Sequence, residues 1–196
     1  MPFLGSVTGL RPARPWTTYE LLSLFQQLLE GIEFLHALQI AHLDLCPGNI
    51  LAAHPEHARF HDRLVGGKLY IIDFDSSRQL SRGPGKQPSI ALPPTQIDPP
   101  DGLKHFDPYS WDVYCAAHVM DYIIRMNCAE HTSGILLCYM QWLMGRERGC
   151  QGVCECRPTA HKALQMLTLL KTLVYTLGIL THLRCARKAS DVRIPV

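Results

Sequence analysis

The sequence is poor in charge and has no long apolar run. Only 18% of its 196 residues are Asp, Glu, Lys or Arg, and 19 basic against 17 acidic side chains leave a net charge of +2. Nothing in that balance supplies the basic stripe that nucleic-acid binding requires, so no nucleic-acid partner is expected. Met1 to Pro15 carries Arg11, Arg14 and three prolines in place of the apolar core of a secretory leader, so an intracellular chain, cytoplasmic or nuclear, is expected. The most apolar stretch, 163–183, is interrupted by Gln165, Lys171 and His182 and reads as a buried or partly amphipathic helix, with membrane contact there the weaker alternative. Internal repeats are absent as well. The 47% hydrophobic content suffices for one packed core and excludes collagen-like, coiled-coil and disordered chains.

Cysteine is not scarce. Eight are present, several inside apolar stretches, which reads as free thiols in a reducing compartment. Cys150, Cys154 and Cys156 lack paired C-x-x-C knuckles, and His54, His57 and His61 lie in a polar connection with Glu56 and Asp62. Both groups are read as loops in preference to zinc sites.

Trp16-Thr17-Thr18-Tyr19-Glu20-Leu21 announces the first helix. Thr17 and Glu20 can cap each other's amides while Trp16 packs on Leu21. Leu21, Phe25, Leu28, Ile32 and Leu35 then form a stripe that predicts a helix ending near residues 36–38. Ile50-Leu51 and Leu69 to Ile72 read as two short strands of a hairpin, with a polar connection at 52–68. The stretch 76–102, rich in Ser, Pro and Gly, reads as a long functional or mobile loop. Helical patterns return over 109–125, 134–144 and 157–184.

The chemistry concentrates in His42-Leu43-Asp44-Leu45-Cys46-Pro47-Gly48-Asn49 and Asp73-Phe74-Asp75. A carboxylate and an amide five positions apart on one loop face a single site, and the hairpin returns Asp73 beside Asn49. Asn49 and Asp73 offer hard oxygens suited to Mg²⁺, while Asp44, left off the metal, can orient a hydroxyl and accept its proton. Such a set fits phosphoryl transfer.

These residues resemble the protein-kinase catalytic loop H-R-D-L-x-x-x-N and the metal-binding D-F-G. Further matches follow in order. Pro99-Pro100-Asp101 resembles A-P-E, Asp112-Val113-Tyr114 resembles the start of a buried helix, and Arg157-Pro158-Thr159-Ala160 resembles the opening of a late helix. The resemblance covers about residues 17–170 and implies a mainly α fold: a kinase-like C-terminal lobe with a small hairpin carrying the catalytic and metal-binding loops. The corresponding division is a hinge-like segment at 1–16, the lobe at 17–184 and a tail at 185–196. It also implies ATP and Mg²⁺ as cofactors, a protein substrate or partner, and transfer to Ser or Thr hydroxyls. In structural roles, His42 supports the loop, Asp112 braces the turn at 42–44, and Arg157 pairs with Asp101.

The departures from that pattern carry expectations of their own. Leu43 stands where an arginine would read an activating phosphate, Cys46 where Ser/Thr kinases have lysine, and Asp75 where D-F-G has glycine. The sequence contains no Gly-rich loop and no V-A-I-K lysine, so the chain alone is expected to turn over little or no ATP. A pseudokinase or interaction module is therefore the alternative from another class. The Pro47-Gly48-Asn49-Ile50-Leu51 and Asp73-Phe74-Asp75 segments are also similar to aminoglycoside and choline kinase-like phosphotransferases, and the combination resembles divergent kinases common in fungi.

Overall fold

The computed structural model describes residues 4–10, 14–100, 103–126, 134–146 and 152–191. Gly5–Ser6 (β1) leads through a 3-10 turn at Val7–Leu10 to the helix Thr18–Ala37 (α1). Ile40–Ala41 (β2), a 3-10 turn at Pro47–Asn49 and Ile50–Ala52 (β3) follow, then the short helix Pro55–Ala58 (α2) and Leu69–Ile71 (β4). Arg78–Gln79 (β5), Ile90–Ala91 (β6) and His105–Phe106 (β7) are minimal strands. The helices Pro108–Met126 (α3), Gly134–Met144 (α4) and Ala160–Asp191 (α5) end the order.

The first helix starts as its residues dictate. The Glu20 amide donates to Thr17 Oγ1 at 3.2 Å and the Thr17 amide to Glu20 Oε2 at 2.7 Å, closing a capping box. Arg14 adds two bonds to the same carboxylate, and chiefly for that reason the Glu20 carboxyl is held down to about 2. Leu21, Phe25, Leu28 and Ile32 are buried as the stripe requires, but so are Leu22, Leu24 and Leu29. The apolar surface is wider than one stripe: α5 runs antiparallel along one side of α1, and on another side Leu24 lines a cleft with Leu10, Trp16 and Pro55. His161 meets Glu33 near one end of the α1–α5 contact, Lys171 Nζ donates to Gln26 at 2.9 Å, and Tyr175 meets Tyr19 at the other end.

Antiparallel pairing joins β3 to β4, with Ile50 opposite Ile71 and Ala52 opposite Leu69. The sheet has a third strand that the hairpin pattern does not predict. Gly5 and Ser6 pair with Ala52 and Leu51, closing the free edge of β3 with a piece of the hinge-like segment. The stretch 76–100 is likewise more ordered than a loop, since β5 pairs with β2 and β6 with β7. The last helix continues past Arg184 to Asp191, into the segment assigned to a tail; Ala186, Arg187, Lys188 and Ala189 all favour helix there.

Trp111, Met120 and Ile123 of α3 share one core with Phe25 and Leu28 of α1 and Leu136 of α4. Asp107 precedes α3, where its Oδ1 accepts from the amides of Tyr109 and Ser110 and its Oδ2 from the amide of Cys154. Burial pushes the Asp107 carboxyl up, an effect these bonds oppose. No helix among the described residues is long and apolar enough to cross a membrane.

Candidate functional site

The turn at 42–44 is built on a strained residue. Leu43 has φ +69, a left-handed conformation that costs a bulky side chain about 1–3 kcal/mol. Three bonds from α3 hold it. The Asp112 carboxylate, fully buried, accepts the His42 amide on Oδ2 and the Leu43 amide on Oδ1, each at 2.8 Å, while Trp111 Nε1 donates to the Leu43 carbonyl at 2.9 Å. His36 at the end of α1 donates Nε2–H to Asp112 Oδ2 at 3.0 Å, so one carboxylate gathers α1, the turn and α3. The Leu43 side chain points into the core, where an arginine would place an uncompensated charge.

His42 is buried and uses both ring nitrogens. Nε2 lies 3.0 Å from the Ile72 carbonyl and Nδ1 3.3 Å from the Asp44 amide; a ring with its proton on Nε2 satisfies both. The ring also lies 5.0 Å from that of Phe74. His42 thus joins the turn to the end of β4, where Asp73 has φ +62 and an exposed side chain. The Ile72 amide donates to the Asn49 carbonyl at 3.0 Å, which sets Ile72 opposite Asn49 and Asp73 one position beyond it.

Asn49, only 6% exposed, donates Nδ2–H to the Asp44 carbonyl at 2.9 Å and to Asp44 Oδ2 at 3.3 Å. With Nδ2 turned into the loop, Oδ1 is the atom left for a ligand. Asp44, half-buried, accepts two more bonds, from the Gln96 amide on Oδ1 at 3.0 Å and from Gln96 Nε2 on Oδ2 at 3.2 Å. The structure therefore joins Asp44 to Asn49 directly and places the backbone of Asp73 one position beyond the residue paired with Asn49, with His42 and Asp112 holding the turn.

The hard oxygens of Asn49 and Asp73 suit Mg²⁺, a cation that usually takes one or two carboxylates or amides and completes its shell with water and phosphate. Among the described residues no group of three or more His, Cys, Asp or Glu side chains is placed to hold a metal by itself. Cys150 lies outside the described residues.

Asp101 also lies outside the described residues, so its pairing with Arg157 is not visible. Arg157 is buried in α5's lead-in, its guanidinium 4.9 Å from the ring centres of both Phe106 and Tyr114, and Nη1 lies 3.5 Å from Ser110 Oγ. The sequence pattern did not single out Gln96, Trp111 or His36. Trp111 and His36 carried a signal, in the neighbour of Asp112 and in a histidine at the end of an apolar helix face, but nothing local marks Gln96.

The family profile of the protein kinase domain matches residues 8–94, the stretch that carries Asp44, Asn49 and Asp73. The chain is related to the protein kinase superfamily. The serine/threonine-protein kinase CAK1 of Saccharomyces cerevisiae is 42% identical over 60 residues, 31% of this chain and 15% of that protein. Human serine/threonine-protein kinase STK11 is 32% identical over 92 residues, 47% of this chain and 20% of its own length. Cyclin-dependent kinase G1 of Arabidopsis thaliana is 33% identical over 111 residues, covering 54% and 16%. The chain thus spans a fifth or less of the length of these kinase relatives, and its mostly helical fold with a few small sheets is compatible with a protein kinase domain.

Proposed function

We propose that this chain is the C-terminal lobe of a protein kinase-like domain and that Asp44, Asn49 and Asp73 form a phosphoryl-transfer site for Mg²⁺ and ATP, directed at protein Ser or Thr hydroxyls. The observation that carries the reading is the bonding of Asn49 to Asp44 on a loop whose following strand pairs with the strand that leads into Asp73. Asn49 bonds Asp44 twice through Nδ2, and the β3–β4 pairing sets Asn49 opposite Ile72, the residue before Asp73. In this reading Asn49 Oδ1 and the Asp73 carboxylate hold the cation. When bound, Mg²⁺ would neutralise charge on the transferred phosphoryl group. Asp44 aligns the acceptor hydroxyl and takes its proton, while Asp112 and His42 keep the turn in place. The kinase names of the relatives support a protein hydroxyl over a small molecule as acceptor.

The 196 residues hold no Gly-rich loop and no V-A-I-K lysine, so we propose weak or no turnover by this chain alone. Phe74 supports a role that needs a second body. It sits against His42 yet stays 47% exposed, an apolar ring half uncovered at the mouth of the site. A pseudokinase or interaction module is the second reading that this exposure favours.

Mn²⁺, a paramagnetic substitute for Mg²⁺, tests the site in the presence of ATP. NMR signals of Asn49 and Asp73 should broaden, and Asn49→Ala or Asp73→Ala should abolish the effect with the fold kept. Broadening centred on His54 to His61, or none near Asn49, overturns the metal assignment. Vigorous phosphorylation of a peptide by the isolated chain that survives Asp44→Ala refutes the assigned base.

A further inference from the structure

The Asp44 carboxylate has an unusual number of partners for a group at a site mouth. An ionised carboxylate offers about four acceptor positions. Oδ2 takes Asn49 Nδ2 at 3.3 Å and Gln96 Nε2 at 3.2 Å, which fills it; Oδ1 takes the Gln96 amide at 3.0 Å and keeps one position open. Gln96 lies 52 positions along the chain and grips both oxygens at once, one with its main chain and one with its side chain. Asn49 alone, through one long bond, would leave the side chain free to exchange between staggered χ1 rotamers as well as to turn about its broad χ2 torsion.

The segment that presents Gln96 is itself held. Ile90 pairs with Phe106 and Ala91 with His105, the Leu92 amide donates to the Lys104 carbonyl at 3.1 Å, and Thr95 Oγ1 donates to the Ile97 carbonyl at 2.8 Å. These bonds bracket Gln96 on both sides, so its position follows that of the 90–98 segment as a whole.

We propose that Gln96 is a positioning residue for Asp44. It fixes the rotamer and plane of the carboxylate, leaves one lone pair of Oδ1 as the acceptor for an incoming hydroxyl, and makes that geometry conditional on docking of the 90–98 segment. Displacing the segment releases the base without touching Asn49 or Asp73. The proposal rests on the phosphoryl-transfer reading for its function; the clamp itself is tested independently of it.

Three-bond couplings from Asp44 N and C′ to Cγ, measured on the isotopically labelled chain, report the Asp44 χ1 populations. The wild type should show one dominant rotamer and a Gln96 amide exchanging about tenfold more slowly than free loop amides. In Gln96→Ala, which keeps the main-chain bond to Oδ1 but loses the side-chain bond to Oδ2, the Asp44 couplings should move part-way towards the average, while the His42 and Leu43 amides, held by Asp112, stay protected and certify the fold. Gln96→Lys, which restores a side-chain donor, should return a single rotamer; a role in shape alone would leave the Ala and Lys variants alike. An Asp44 rotamer unchanged in Gln96→Ala overturns the proposal, as does equal averaging in the two variants. Mn²⁺ with ATP added to the wild type separates the two readings. Broadening at Asn49 and Asp73 with a Gln96-independent rotamer sinks the clamp alone, and a Gln96-dependent rotamer with no broadening sinks the phosphoryl-transfer site alone.

Discussion

Asp112→Asn is the most exacting perturbation of this fold, because it changes one atom in a fully buried hub. The carboxylate accepts three N–H donors, from His42, Leu43 and His36. An amide has one oxygen, so its NH₂ must face at least one of those donors, orphaning it and repelling it. A buried donor without a partner costs about 1–3 kcal/mol, and the remaining bonds lose charge assistance, for a total of about 2–4 kcal/mol. Asp112→Ala orphans all three and removes what restrains Leu43 at φ +69; a loss of about 5 kcal/mol or more is expected, near the whole stability of a marginal domain. Urea denaturation followed by circular dichroism reads this directly. With a slope of about 2 kcal/mol per molar, the Asn variant should lower the midpoint by about 1–2 M. Asp121→Asn on the same helix weakens a pair with the exposed Arg125 and should cost under about 1 kcal/mol. An Asn variant within about 0.5 kcal/mol of wild type, with the Leu43 amide still slow to exchange, would refute the claim that this hub holds the turn.

Gly145 ends α4 at φ +67, where an added Cβ would lie 2.5 Å from the Cys156 carbonyl oxygen. Gly145→Ala combines a left-handed penalty of about 1–2 kcal/mol with a backbone clash and should destabilise by more than 2 kcal/mol in thermal melts. Arg157→Lys keeps the charge but loses the planar group between Phe106 and Tyr114, and should cost about 1–2 kcal/mol by urea titration; no change would mean that the stacking is inert. The Glu20 carboxyl, held at about 2 in the folded chain against an ordinary value of 4.5, stabilises above pH 4.5 and loses that contribution as the pH falls towards 2. Glu20→Gln should therefore unfold at lower urea than wild type at pH 7, with the gap closing on acidification; a gap that persists at pH 2 contradicts the capping assignment.

The long elements were legible in the sequence for a physical reason. A twenty-residue helix repeats its apolar period often enough to show a stripe, and its Thr17 and Glu20 start signal is local. The minimal strands β5, β6 and β7 span two residues each, too short for any period, so 76–100 looked like a loop although its backbone is paired. The second buried side of α1 was hidden because α5, which covers it, is more than a hundred residues away. Within the site, Asp44, Asn49 and Asp73 stood out because their chemistry is written in their spacing. Gln96 did not, since what matters is an amide N–H and a side chain brought across 52 positions by pairing elsewhere. The Arg157 expectation was half visible, for its partner Asp101 lies outside the described residues.

The Asp112 hub also bears on the order in which this protein comes into being. Its bonds to His36, His42 and Leu43 close 76, 70 and 69 positions of chain. The entropy of closing such loops is lost before the bonds return anything, so contacts of this span form late, with the collapse of the whole core. During synthesis the residues of the site leave the ribosome well before α3, and until α3 arrives Leu43 has nothing to hold it in its left-handed conformation. The site is thus assembled by the last half of the chain to be made, and it comes and goes with the global fold as one cooperative event.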